Sequence, residues 1–374
     1  MEEVEVLDFD NKPKKKRRKL KKKIKLFLIL IILLIIILGG YGTYNYLLSS
    51  PNKKSEIIEF TVDDGSSVYL VGTKLKKENL IRSELAYKIY VKLNKINSYK
   101  AGIYILDKSY STCDIVGLLS GDVYKKSGVT ITFKEGNNIR GIVKSITSKT
   151  NITESEIYSL LSNKEYINSL IDKYWFLTDD INNEDIYYPL EGYLFPDTYN
   201  FGKDPKLINI FEAMLNQTDK VLSKYKSQID SSSYSINELV TLASLIEKEG
   251  IYNVDRKKIA GVFYNRLKSG MSLGSDVTTY YAFKIELSDR NLTSTEINTY
   301  NPYNTRGPKM NGKLPVGAIS NFSEGSFEAA LNPSDYDYYY FVADKSGKTH
   351  FTKTYEEHMK VIKELKESGN WIEW

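Results

Sequence analysis

Apolar and polar positions divide the chain into one unbroken apolar stretch near its start and a long body of short periodic runs. Leu26–Leu38 reads LFLILIILLIIIL, and no charged residue occurs between Leu26 and Leu48. At about 1.5 Å per residue, a helix over 26–48 is about 35 Å long, enough to cross a bilayer. SSPNKKS (49–55) has no apolar period and reads as a linker. EIIEFTVDDG from Glu56 alternates as a strand ending in a turn. Ser66–Lys95 has helical spacing, with Leu80, Ile81, Leu85, Ile89 and Leu93 on or near one stripe. AGIYIL (101–106) predicts a second strand, and STCDIVGLLSG (111–121) a short helix stopped by Gly121. VTITFKEG (129–136) opens a further strand and turn. NNIRGIVKSITSKT and TESEIYSLLSN predict helices, the second with a capping box between Thr153 and Glu156. The mixture predicts an α+β body, with no internal repeat.

TLASLIEKEG (241–250) ends the best-marked helix. Ser235 and Glu238 form a capping box at its start, and Gly250 is a natural stop. On a helical wheel Ile236, Leu239, Leu242, Ala243 and Ile246 make the buried stripe, with Glu247 at one edge of it and Glu249 near the other. A carboxyl at such an edge is held partly out of water. That favours its neutral form, the state a general acid needs. The wheel does not choose between the two glutamates.

Charge changes the picture at the N-terminus only. The net charge is +5, but residues 1–25 carry 11 Lys/Arg and 5 Asp/Glu, and the rest of the chain carries 41 and 42. The body therefore has no general attraction for a polyanion, and no nucleic-acid partner is expected. Lys14–Lys25, KKKRRKLKKKIK, flanks the apolar stretch on its N-terminal side. This predicts a single-pass membrane protein with a cytoplasmic N-terminus and an extracytoplasmic body. A cleaved signal peptide fits less well, because the apolar stretch is long and no small-residue cleavage site follows. One cysteine, Cys113, and two histidines, His350 and His358, leave little from which to build a zinc site or a disulfide.

Several further segments occur in order: LEGYLFPDTY (190–199), ASLIEKE (243–249), VFYNRL (262–267), SDVT (275–278), YNT (303–305), LPVGAI (314–319), YYFVADKSGKTHF (339–351) and Glu357-His358. Together they resemble the endolytic murein transglycosylase family, of the YceG-like type, over roughly residues 56–360. The resemblance implies cleavage of peptidoglycan glycan strands between N-acetylmuramic acid and N-acetylglucosamine, within the strand and beside the membrane. A 1,6-anhydro end is left, and elongation of the nascent strand is terminated. It implies that Glu247 is catalytic and Glu249 is not. It also brings Glu191, Tyr193, Asp197, Tyr199, Asp276, Tyr303, Asn304 and Thr305 forward as candidate glycan-binding residues. No metal and no cofactor are implied. The expected partners are the glycan strands themselves and a peptidoglycan synthase or the elongation or division machinery.

The expected organisation is a basic cytoplasmic tail (1–25), a transmembrane helix (26–48), a linker (49–55), a LysM-like subdomain (56–126) and a catalytic domain (127–374). The chain departs from the family's pattern at Arg306, where an aromatic is usual, and at NFSEG (321–325), where a proline and a glycine are. Two other functions fit parts of the sequence. A silent glycan-binding scaffold would not depend on Glu247. A hydrolytic muramidase would need a second carboxylate to activate water, with Asp276 or Glu191 as candidates.

Overall fold

The computed structural model describes residues 22–63, 65–120, 128–202, 204–250 and 253–371. Most of the basic tail and the expected helix stop at Gly121 lie outside the described residues. A continuous helix, α1 (Lys22–Leu48), carries the apolar stretch, and its Leu26–Leu38 side chains are exposed. Over Lys25–Leu48 it is long and apolar enough to cross a membrane.

A small unit follows. It contains β1 (Ile57–Val62), α2 (Val68–Lys77), α3 (Glu84–Leu93), β2 (Gly102–Asp107) and α4 (Thr112–Ser120). β1 and β2 pair antiparallel, Ile57 opposite Asp107 and Val62 opposite Gly102. Phe60, Val71, Leu75, Tyr87, Leu106 and Leu119 belong to a core of its own.

The single helix expected over 66–95 is two helices. Asn79 adopts a left-handed φ of 55°, the Leu80 amide closes a turn onto the Leu75 carbonyl at 2.9 Å, and Ser83 caps α3. The expected stripe is also displaced. Leu80 and Ile81 are buried in the turn, whereas Leu85, Ile89 and Leu93 face outward. Ala86, Tyr87 and Val91 pack inward instead. Tyr87 decides the rotation of the helix: its ring lies against Gly72, and its hydroxyl donates to the Val68 carbonyl at 2.9 Å.

The larger unit begins with β3 (Gly128–Thr132), which pairs antiparallel with β4 (Thr198–Gly202). Between them lie α5 (Ile139–Thr147), α6 (Glu154–Leu161), α7 (Lys164–Lys173) and a 3-10 turn at Asp179–Asn182. The helices α8 (Leu207–Ser223), α9 (Lys226–Asp230), α10 (Ile236–Glu249), α11 (Asn253–Lys268), α12 (Asp276–Ala282), α13 (Ser294–Ile297) and α14 (Glu324–Leu331) follow. The hairpin of β5 (Tyr340–Ala343) and β6 (Thr349–Thr352), then α15 (Tyr355–Glu367), complete an α+β body.

α10 runs through the main core. Its capping box is present, Ser235 accepting from the Glu238 amide and the Glu238 carboxylate from the Ser235 amide. The expected stripe is buried, but so are Val240, Thr241, Ser244 and Leu245. α10 is enclosed rather than one-sided because it packs on α11, α12 and α14 at once. Neither Glu247 nor Glu249 therefore stands at a simple boundary between core and water.

Candidate active site

Glu247 projects from the last turn of α10, and its side chain is only 6% exposed. Three donors converge on its Oε2. They are the Ser323 amide at 2.9 Å, the Ser323 hydroxyl at 2.6 Å and the Ser326 hydroxyl at 2.7 Å. Ser323 is the N-cap of α14, so the carboxylate sits where that helix presents unpaired amides and its positive dipole end. Oε1 faces Nη2 of Arg256, on α11, at 3.3 Å.

The turn after β3 passes over the same carboxyl. Gly136 has φ 70°, and a Cβ there would come within 3.8 Å of Glu247 Cγ. The turn is fixed by the Gly136 amide on the Asn321 carbonyl at 3.0 Å and the Asn321 amide on the Asn137 carbonyl at 2.8 Å. Glu135, on this turn, is exposed to solvent. Desolvation, and then the charge of Glu247, push its carboxyl up, while Arg256 opposes the shift. A buried carboxyl with an arginine beside it and a second, more accessible carboxyl nearby can hold, give and take a proton.

Glu249 faces a different neighbourhood. Its carboxylate accepts from the Ser275 hydroxyl at 2.6 Å. Burial pushes it up, the Ser275 bond opposes this, and Asp276 and Arg306 act in opposite senses. Asp276 itself is exposed and forms an ion pair with Arg306, the residue that departs from the family pattern. Asn304 and Thr305 are fully buried. Thr305 Oγ1 lies 2.8 Å from Thr278 Oγ1 and accepts from the Ser275 amide at 3.0 Å. Asn304 accepts from the Thr279 hydroxyl at 2.6 Å and donates to the Thr299 carbonyl at 2.8 Å.

Glu191 is also buried. Its two oxygens accept from the Ile139 amide at 3.1 and 3.0 Å, and Oε2 accepts from the Tyr281 hydroxyl at 3.0 Å. Burial pushes its carboxyl up to about 7, against the pull of these donors. Tyr303 is fully buried against Tyr187 and Tyr281, and its hydroxyl accepts from the Tyr187 amide at 3.2 Å. Tyr193 bonds Asn237 at 3.1 Å near the start of α10. Tyr199 is buried on β4 beside Phe133, and its hydroxyl donates to the Phe195 carbonyl at 2.9 Å. Asp197 is exposed and accepts from the Thr198 amide at 2.6 Å.

Of the eight candidate glycan-binding residues, six thus have interior side chains and two, Asp197 and Asp276, are exposed. The interior six pack within the body, their polar atoms bonded to other protein groups. Sequence reasoning missed Arg256, Ser323, Ser326 and Glu135. A signal existed for the serines, since Ser323 before an apolar run is a helix-start pattern. His350 pairs with Asp344 at 2.8 Å and His358 stacks on Tyr340 with ring centroids 5.3 Å apart, so both are engaged in the C-terminal hairpin region. A surface cavity of about 700 Å³ lies at the opposite, N-terminal end of α10, lined by Asp179, Asn183, Ser235 and Glu238 among others. The end of the helix that bears Glu247 does not line this cavity.

Comparison with known proteins places this geometry in context. The model of the YceG-like family matches residues 60–364. A Bacillus subtilis (strain 168) protein named endolytic murein transglycosylase is 37% identical over 339 residues, covering 89% of this chain and 92% of that protein. A protein of the same name from Streptococcus pneumoniae serotype 2 is 33% identical over 348 residues, covering 87% of this chain and 62% of its own length. The crystal structure of a yceG-like protein from Listeria monocytogenes superposes with a TM-score of 0.59 at 35% identity, covering 82% of this chain and all of that one.

Proposed function

The chain belongs to the YceG-like family, and we propose that it is an endolytic murein transglycosylase. It cuts peptidoglycan glycan strands internally, between N-acetylmuramic acid and N-acetylglucosamine, and leaves a 1,6-anhydro end. The observation that carries this reading is the kinship, over nine-tenths of both chains, with a protein bearing that name.

Glu247 is the acid and base. Its Oε2 is held by three donors, whereas Oε1 has a single, longer contact, to Arg256 at 3.3 Å, so Oε1 is assigned the travelling proton. Oε1 gives the proton to the departing glycosidic oxygen. It then takes the proton of the C6 hydroxyl of the N-acetylmuramic acid whose C1–O bond is breaking, as that oxygen attacks its own C1. The nucleophile is already part of the substrate, so its effective concentration is high, and no water has to be activated. The anion left by the first step keeps its three donors on Oε2 and faces the cationic sugar. Of the eight candidates, Asp197 and Asp276 are the two with exposed side chains and are assigned the contacts with sugar hydroxyl and acetamido groups, Asp276 together with its partner Arg306. Glu191, Tyr193, Tyr199, Tyr303, Asn304 and Thr305 act from behind by holding the groove's shape. α1 anchors the chain as a single membrane pass with the basic tail inside, and the body meets strands as they leave a synthase.

The test is to digest purified, uncrosslinked glycan strands and weigh the products. Anhydro-ended fragments support the lytic reaction. Fragments heavier by one water, with reducing ends, make the protein a hydrolase instead.

A further inference from the structure

The stripe that fails to face the core of the small unit points to a second contact with the membrane. Leu85, Ile89 and Leu93 are 69, 41 and 71% exposed, at i, i+4 and i+8 along α3. Lys92 and Lys88, the latter paired with Glu84 at 2.7 Å, lie on one flank of the stripe at helical spacing. On α2, joined to the start of α3 by the Thr73 hydroxyl on Glu84 at 2.9 Å, Tyr69 and Leu70 are exposed as well.

The position of this face relative to the bilayer follows from α1. Arg82, one residue before the α3 cap, donates to the Ser49 hydroxyl at 3.2 Å and the Tyr46 hydroxyl at 3.3 Å. Its guanidinium also lies 4.7 Å from the centre of the Tyr46 ring. α1 packs on α3, Leu48 is buried, and the Ser50 hydroxyl donates to the Lys108 carbonyl at 3.0 Å. The end of the spanning helix is therefore held against the small unit by these contacts. Tyr41, Tyr44 and Tyr46 belong at the level of the lipid headgroups. An element fixed to Tyr46 and Ser49 lies at that level too. α3, ten residues or about 15 Å long, starts there.

We propose that the outer face of α3 rests in the headgroup–acyl boundary of the leaflet where α1 emerges. Leu85, Ile89 and Leu93 enter the apolar edge, while Lys92, joined by Lys88 on exchange from its exposed pair with Glu84, reaches anionic headgroups. The partner is the lipid surface, and the contact is continuous with the span. Such a contact fixes both the tilt of the small unit and the height of Glu247 above the membrane. The inference rests on the reading of α1 as a membrane anchor.

Labelling separates the two claims. The full chain with Cys113→Ser receives a single fluorophore at Ile36→Cys, Ile89→Cys or Lys363→Cys. It is reconstituted in phosphatidylethanolamine–phosphatidylglycerol vesicles containing lipids with a nitroxide near the headgroup or in the acyl chain. The proposal expects lipid quenching at position 36, and quenching at position 89 by the shallow nitroxide about threefold stronger than at position 363. Quenching at position 36 with none at 89 above the level of 363 overturns the α3 contact and leaves the anchor. Absence of quenching at position 36 overturns the anchor, and the α3 contact with it. A label at position 89 shielded from lipid and from aqueous iodide alike means that protein, such as a second copy, covers the face, and this also overturns the proposal.

Discussion

Ser323 donates twice to one atom of Glu247, its amide at 2.9 Å and its hydroxyl at 2.6 Å from Oε2. The N-terminus of one helix thus holds a carboxyl carried on the last turn of another. This ties the orientation of the candidate acid to the packing of α10 on α14 rather than to its own flexible side chain.

Ser326→Ala removes one of the three donors to Oε2 and leaves the helix cap in place. A hydrogen bond to a charged group contributes about 1.5–3 kcal/mol, so kcat is expected to fall about tenfold or more, with KM nearly unchanged. Steady-state kinetics on defined glycan strands checks this. An effect on KM alone contradicts the role given to Ser326.

Arg256→Met leaves the buried Glu247 side chain without its cationic neighbour. Breaking one side of a buried pair costs about 3–5 kcal/mol. The donors from α14 remain, so a loss near the lower end of that range is expected in urea unfolding of the detergent-solubilised chain. The double variant Arg256→Met/Glu247→Gln should recover part of the loss. No recovery contradicts the pairing.

Glu191 gives the fold a pH dependence of defined sign. Its carboxyl is raised from the ordinary 4.5 to about 7 by burial. Between those values the folded chain holds a proton that the unfolded chain has released. Stability therefore falls as pH rises through that window and levels off above it, by on the order of 3 kcal/mol from this group. Glu191→Gln keeps a neutral acceptor for the Ile139 amide and should flatten the slope. Unfolding curves for both proteins at pH 5 and pH 8 decide it, and identical slopes contradict the assignment.

Gly192 follows Glu191 with φ 87°. A Cβ there would lie 2.5 Å from Ala318 Cβ and 2.8 Å from Val240 Cγ1. Gly192→Ala combines a strained backbone with an overpacked core, each costing about 1–3 kcal/mol. Thermal unfolding should show a large drop in Tm. A change of a degree or two contradicts the close approach of this turn to α10.

Local signals made much of this legible in the sequence. The Ser235/Glu238 box and Gly250 mark the limits of α10 because caps involve neighbours in the chain. The apolar run from Leu26 marks α1 for the same reason. The contacts that define the site are long-range. Ser323 and Ser326 lie 76 and 79 residues from Glu247, and no periodicity links them. The 321–325 segment reads in sequence as a departure from a family pattern, yet it contains a main donor to Glu247. α3 shows the limit of periodicity itself. Leu85, Ile89 and Leu93 and the buried set Ala86, Tyr87 and Val91 both have helical spacing. The fit of Tyr87 against Gly72 decides which set turns inward.

The central claim is that one carboxyl performs both proton transfers. Its most direct test compares the intact chain with Glu247→Gln on the same peptidoglycan, with products analysed by mass spectrometry. The account predicts anhydro-ended fragments from the intact chain. It predicts a loss of at least about a hundredfold, and no change of product type, for the variant. Cleavage at an undiminished rate by Glu247→Gln would contradict it and move the proton transfers to another group, with Glu135, whose carboxyl feels the charge of Glu247, as a candidate.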